Sequence, residues 1–460
     1  MARAAAALAL GRGEVDAASL VLFRIAFGAL MAANVVRYEA MGWVDDLFVA
    51  PTLAFPYWGF EWVRPLPAPG IHALFALVAV AALGIALGAF YRLSCAVFFL
   101  AFTYIELIDR TTYLNHYYLV SVLAALLFFM PLHRVASVDA WRRRRRTGEA
   151  KPLFVLPRWP LSVLRLQIGL VYVFAGLAKV HGDWLLAAEP LATWLPRHTD
   201  LPLVGGLMDE RWLAYAMSWA GMLFDLTIPF WLSWRRSRAV AYAAVLAFHA
   251  VTGFLFPIGI FPWLMSAAAT VFFEPGWPRH FARLVGRPRT APALPPTPGC
   301  PLRPLRPRQL FARVVLGVHF AVQLLLPLRQ HLYPGERTWH EQGFRFAWNV
   351  MLVEKTAMVD FRVVDAAGGE TVVHPREILT PLQRRMMTTQ PDMILSFAHH
   401  LRDRWAAEGR GEVEVYVDAW CALNGRRRQR FIDPEVDLAR VEASLAPRDW
   451  VLPLAPRDGR

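Results

Sequence analysis

Apolar residues fall in long runs separated by short polar segments, at 18–37, 71–90, 93–109, 114–131, 161–180, 212–234, 239–256, 258–273 and 310–328. About 20 apolar residues make a helix that crosses a bilayer core, so the pattern predicts about nine spanning helices. The slightly short runs need interfacial aromatics to complete a crossing. After about residue 330 the pattern changes. "MVDFRVVD" and "ETVVHP", with Gly368-Gly369 between them, read as a hairpin of short strands. "LTPLQRRMMTT" and "PDMILSFAHHLRDRWAAEG" carry helix-start signals and helical apolar spacing. "EVEVYVDAWCAL" and "RRRQRFI" flank Asn424-Gly425, the strongest hairpin signal in the chain. The expected architecture is a polytopic α-helical membrane domain over 1–328, followed by an extracytoplasmic α+β, β-rich domain over 329–460.

Charge supplies the orientation. The chain has 49 basic and 36 acidic residues, net +13, and much of the excess sits in short loops such as "WRRRRRTGEA" at 141–150 and "WRRSR" at 234–238. With Arg142–Arg146 in the cytoplasm, alternation puts the N-terminus, 235–238 and 287–308 inside, 181–211 outside, and everything after the ninth helix outside. The arginine run is then a topology determinant that also meets anionic lipid. This is a membrane distribution and not a nucleic-acid stripe, so a nucleic-acid partner is not expected. A composition of 56% hydrophobic and 18% charged residues is that of an integral membrane protein. Cys95, Cys300 and Cys421 are too few and scattered for a disulfide framework or a zinc site, and no metal site is expected. "MARAAAALALGRGE" runs straight into the first apolar segment and is expected to stay uncleaved. The Pro-rich stretch 291–307 reads as a semi-rigid loop.

This topology gathers polar residues near the outer boundary. Lys179 ends the fifth run, Asn115 and His116 open the fourth, Glu106 and Asp109 close the third, and His249 lies in the outer half of the seventh. Ionisable groups at membrane depth are costly, so their convergence is a functional-site hypothesis. Each also has a plainer reading. Lys179 can reach to the headgroups, His116 can sit at the interface or cap its helix, and His249 can be a satisfied interior histidine. Asp225, Arg24 and Arg165 are read as structural charge partners on the cytoplasmic side. "FAHHL" at 397–401 is read as an exposed pair on an amphipathic helix, with metal binding as the alternative.

"DRTTYLNHYYL" at 109–119, "YVFAGLAKVHGDW" at 172–184, "FDLTIPF" at 224–230 and "FHAVTGFLFPIGIFPWLM" at 248–265 resemble the vitamin K-dependent γ-carboxylase family and its HTTM membrane domain. "YWGFEWVRPLP" at 57–67 resembles that domain's first outer loop, and "LRQHLYPGERTWHEQGFRFAWNVML", "LTPLQRRMMTTQPDMILSFAHHL" and "LNGRRRQRFIDPEVDLA" resemble the family's soluble portion. The resemblance implies an enzyme that oxidises vitamin K hydroquinone, or menaquinol, with O₂. The strong base so formed removes a glutamyl γ-proton, and CO₂ is captured at that carbon. By the same resemblance Lys179 deprotonates the quinol and His116 supports proton abstraction and carboxylation, while Asn115, Tyr172 and His249 line the quinone pocket. A lysine amine must be neutral to serve as a base, and burial among "VFAGLA" favours that form. The expectation is that Lys179 and His116 share one apolar pocket opening away from the cytosol. The implied partners are membrane lipid, a quinol and a glutamate-containing secreted peptide or protein. Two other readings stay open: a quinol epoxidase that does not carboxylate peptides, and a non-enzymatic transporter or scaffold.

Overall fold

The computed structural model describes residues 13–148, 154–284 and 307–457. The start of the chain, most of the Pro-rich stretch and Cys300 lie outside the described residues. Ten helices carry the membrane-type sequence: α1 (Ala18–Ala40), α2 (Ala68–Leu87), α3 (Tyr91–Ile108), α4 (Asn115–Phe129), α5 (Val138–Thr147), α6 (Trp159–Ala178), α7 (Arg211–Ser233), α8 (Arg238–Leu255), α9 (Phe261–Ala269) and α10 (Pro307–Leu325). All nine predicted apolar runs fall on helices; α5 is the short arginine-rich helix between the fourth and fifth runs. Among the described residues, six segments are long and apolar enough to cross a membrane: α1, α2, α3, α6, α8 and Leu310–Leu332. Asn115–Phe129 and Phe261–Phe272 are apolar but shorter. Helix α7 has 23 residues, but Asp225, Ser218 and its tryptophans dilute its hydropathy, and it is not among the six.

Small residues set the helix spacing. A Cβ on Gly28 of α1 would lie 2.4 Å from the Ala82 carbonyl oxygen of α2, and one on Gly176 of α6 would lie 2.7 Å from the Leu226 amide nitrogen of α7. Only glycine permits either approach. Gly176→Ala should therefore push α7 outward and destabilise the protein by about 1–3 kcal/mol, read as a lower thermal midpoint in detergent. Gly28→Ala should do the same between α1 and α2.

Arg24 and Arg165 do not pair with Asp225. Arg24 donates to the carbonyls of Leu132 and Ala136, and Arg165 donates to those of Val271, Phe272 and Phe273. Carbonyls near helix ends lack intrahelical donors, and the five-donor guanidinium supplies them. A ribbon of β1 (Glu14–Asp16) and β2 (Val155–Pro157) joins the chain just before α1 to the chain just before α6.

The C-terminal region is a four-stranded antiparallel sheet of order β4-β3-β5-β6, built from β3 (Lys355–Asp365), β4 (Glu370–Val373), β5 (Val413–Leu423) and β6 (Gln429–Arg430). Strand alternation buries Val413, Val415, Val417, Ala419, Cys421 and Leu423 on one face. Helices α11 (Pro381–Thr389) and α12 (Pro391–Ala407) cover that face, with the Phe361 and Phe397 rings 4.7 Å apart. On α12, His399 is half-buried and bonded to the Val441 carbonyl at 2.7 Å. His400 is half-buried as well, so the two do not form an exposed pair.

The predicted Asn424-Gly425 turn is present, with φ of 48° and 72°. It docks on the membrane domain: a Cβ on Gly425 would lie 2.5 Å from Glu189 Oε1. Asp183 accepts from Arg426 at 2.6 and 2.7 Å, from Asn424 Nδ2 at 3.1 Å and from Arg457 at 3.2 Å. Burial alone would raise the Asp183 pKa, but Arg426, Asn424 and Arg457 outweigh it and hold the carboxylate below its usual range. The stabilisation is thus complete above the ordinary carboxylate pKa of about 3.9 and is lost as pH falls through the lower folded value. Asp183→Asn should cost about 3–5 kcal/mol at neutral pH, and its thermal midpoint should fall less than the wild-type midpoint between pH 7 and pH 3.

Asp109, just past α3, ties the two regions together at a second point. Asp109 accepts from the Thr111 amide and from Gln383 Nε2, both at 2.8 Å. Arg110 and Arg345 both bind Asp392, at 3.1 and 2.6 Å.

Candidate active site

Tyr172, Ala175 and Lys179 recur at helical spacing along one face of α6, which packs against α7 and meets α8 through Tyr172 and His249. Lys179 occupies the C-cap position of α6, and its side chain folds back along the helix. Its Nζ donates to Asp225 Oδ2 at 2.8 Å and to the Ala175 carbonyl at 3.2 Å, and it lies 5.3 Å from the Trp184 ring centroid. The residue is 4% exposed. The amine therefore points into the protein. Asp225, placed deeper by the sequence reading, stands level with Lys179 because α7 starts beyond the end of α6. Tyr215 near the start of α7 already meets the Leu186 carbonyl of the following loop.

Next to this pair the Tyr172 hydroxyl and His249 Nε2 are 2.9 Å apart, and His249 Nδ1 is buried with no hydrogen-bond partner. Tyr172, Lys179, Trp184, Asp225, His249 and Phe256 line a cavity with about 70 Å³ of open space.

His116 lies in the first turn of α4, packed edge-on to Tyr117 at 4.5 Å and tilted against Phe261 at 5.8 Å. Its Nε2 is buried without a hydrogen-bond partner. It faces a second cavity of about 780 Å³ whose wall includes Arg37, Trp43, Asn115, Gly259, Pro381 and Leu382. Asn115 also lines it, but its amide is engaged: Nδ2 donates to the Asn349 carbonyl at 2.9 Å, and Oδ1 accepts from the Tyr113 hydroxyl at 3.0 Å.

Lys179 and His116 therefore line two adjoining cavities and not one. Ile258, Phe261, Val350 and Met351 border both. Phe261 is the middle of the partition, 5.8 Å from His116 and 5.6 Å from His249. The structure brings Lys179, Tyr172 and His249 together, sets His116 and Asn115 across the partition, and removes Asp109 to the domain junction. Glu106 lines neither cavity and faces a third one beside Tyr57 and His319.

Four contributors escaped the sequence reading. Asp225 was taken for a partner of distant arginines. Arg37 reads as an ordinary boundary charge. Val350 and Met351 lie in the C-terminal region, where no pattern marks a membrane-facing loop. That loop holds Phe346, Trp348 and Met351 at φ of 63°, 58° and 57°. Such left-handed conformations cost non-glycine residues of order 1–3 kcal/mol each and persist where the surroundings enforce them.

Residues 13–277 match the HTTM domain family. Residues 308–457 match the family described as the vitamin K-dependent gamma-carboxylase lumenal domain. No solved structure matches the chain.

Proposed function

The chain belongs to the vitamin K-dependent γ-carboxylase family, an HTTM domain followed by the lumenal-type domain, and on that premise we propose a membrane-bound, quinol-dependent γ-glutamyl carboxylase. In this reading about nine helices over 1–328 lie in the membrane with the N-terminus cytoplasmic, and 329–460 form the extracytoplasmic domain. Support comes from the arginine helix α5, which abuts the α2–α3 turn through Asp139, while the cavities lie at the opposite ends of α1 and α4.

The observation that carries the reaction is the buried Lys179 amine beside Tyr172 and His249, one side chain away from the cavity of His116. A vitamin K hydroquinone or menaquinol bound there would supply, with O₂, the strong base that no side chain can provide, one oxygen atom of O₂ ending in the epoxide and the other in water. In the acceptor the Cγ–H bond breaks, its proton passes to that base, and the electron pair forms a C–C bond to CO₂.

The donor set fits a quinol hydroxyl. The Lys179 amine, held by Asp225 at 2.8 Å, offers one hydrogen-bonding point, and Tyr172 with His249 offers a second. The open 70 Å³ is less than a fused ring pair occupies, so a ring reaching Lys179 arrives through the larger cavity and displaces the Phe261–Met351 partition. His116, with its free Nε2, is left to assist at the acceptor carbon.

Purified protein given vitamin K hydroquinone, O₂, labelled bicarbonate and a glutamyl peptide should yield epoxide and label in the peptide. Epoxide alone would identify a quinol epoxidase, and the absence of both would overturn the enzymatic reading.

A further inference from the structure

Arg37, near the end of α1, is a cation without an anion. Among the described residues its one hydrogen bond runs from Nη2 to Asn34 Oδ1 at 2.9 Å. Among the described residues no carboxylate lies within ion-pair distance of it, and its Nε is buried with no hydrogen-bond partner. Of the neighbouring acids, Glu39 and Asp45 are turned to His72, at 3.1 and 3.2 Å, and Asp46, on the wall of the same cavity, is exposed and makes no ion pair with Arg37. The guanidinium is held in place from two sides, by Asn34 and by the Trp43 ring 5.1 Å away. A half-buried guanidinium held in place on the wall of a mostly apolar cavity, with no carboxylate bonded to it, is open to an anionic ligand.

Arg37 also points where the chemistry is. The position a Cβ on Gly259 would occupy lies 3.4 Å from Arg37 Nη2 and 3.7 Å from His116 Nε2. Guanidinium and imidazole therefore converge on one point of the 780 Å³ cavity, against a backbone that carries no side chain. Gly259 has φ of +60°, a second reason for glycine there.

We propose that Arg37 binds the side-chain carboxylate of the acceptor and so sets its Cγ beside His116. This deepens the carboxylase reading and rests on it. Guanidinium–carboxylate pairing is directional and charge-assisted, so it fixes the orientation of the reacting carbon as well as the affinity. It also makes the site selective for a carboxylate over the isosteric amide, because an amide leaves the guanidinium uncompensated.

The test is direct binding of two short peptides, one glutamyl and one with glutamine in its place, to the full-length protein in detergent without quinol. Wild type should bind the glutamyl peptide at least about tenfold more tightly, the scale of one charge-assisted hydrogen bond. Arg37→Gln should lose that preference, and Arg37→Lys should restore part of it. In turnover, Arg37→Gln should raise KM for the peptide more than it lowers kcat. Equal wild-type affinity for the two peptides, or an Arg37→Gln protein that keeps the preference, would overturn the assignment. Because binding is read without quinol, a wild type that discriminates the peptides yet forms no epoxide counts against the proposed reaction and upholds the role of Arg37.

Discussion

Replacing Lys179 with methionine should stop epoxide formation and carboxylation together, by about 10²–10⁴-fold, the usual contribution of a positioned base. Methionine keeps the length and apolar bulk of the side chain but cannot take a proton. The substitution also strands Asp225, whose counter-ion is the Lys179 amine at 2.8 Å. Orphaning one member of a buried pair costs about 3–5 kcal/mol, so lost activity in the single variant has two possible sources. The pair Lys179→Met with Asp225→Leu separates them, because removing both charges relieves the orphaned carboxylate. The double variant should recover a thermal midpoint near that of wild type and remain inactive. If it turns over quinol, the amine is structural only.

His116→Ala should divide the two half-reactions. Its Nε2 has no protein partner, so truncation strands no group and the protein should keep its thermal midpoint within a few degrees. Lys179, Asp225, Tyr172 and His249 lie across the Phe261 partition and are untouched. Label incorporation should fall by about 10²-fold or more, while epoxide formation falls far less, giving a raised ratio of epoxide to labelled product. Equal loss of both products would place His116 in the quinol step.

The helical runs were readable because a lipid-facing span must be apolar over its whole length, a signal that survives without tertiary information. The Asn424-Gly425 hairpin was readable because its turn demands two positive φ angles. Depth was harder. Lys179 and Asp225 belong to helices of different reach, and sequence distance from a loop does not say how far α7 extends past α6. The single expected pocket became two because Phe261 and the 344–352 loop fill the space between α4 and α6, and a wall formed by distant segments leaves no local periodicity. Arg37 was invisible for a related reason: an arginine at a helix end looks like any interfacial charge until its neighbours are seen to be engaged elsewhere. The junction carboxylate Asp109 was misassigned to the site because its partner, Gln383, is supplied by the C-terminal region.

We propose that the quinol ring reacts at the buried amine of α6, reached past the Phe261–Met351 partition. A structure determined with a bound vitamin K quinone tests it most directly. A ring oxygen should lie within about 3 Å of Lys179 Nζ, the reach of a hydrogen bond, with Phe261 or Met351 displaced from its present position. A quinone head held on the lipid-facing surface, with Phe261 in place and no ring oxygen near Lys179, would contradict it.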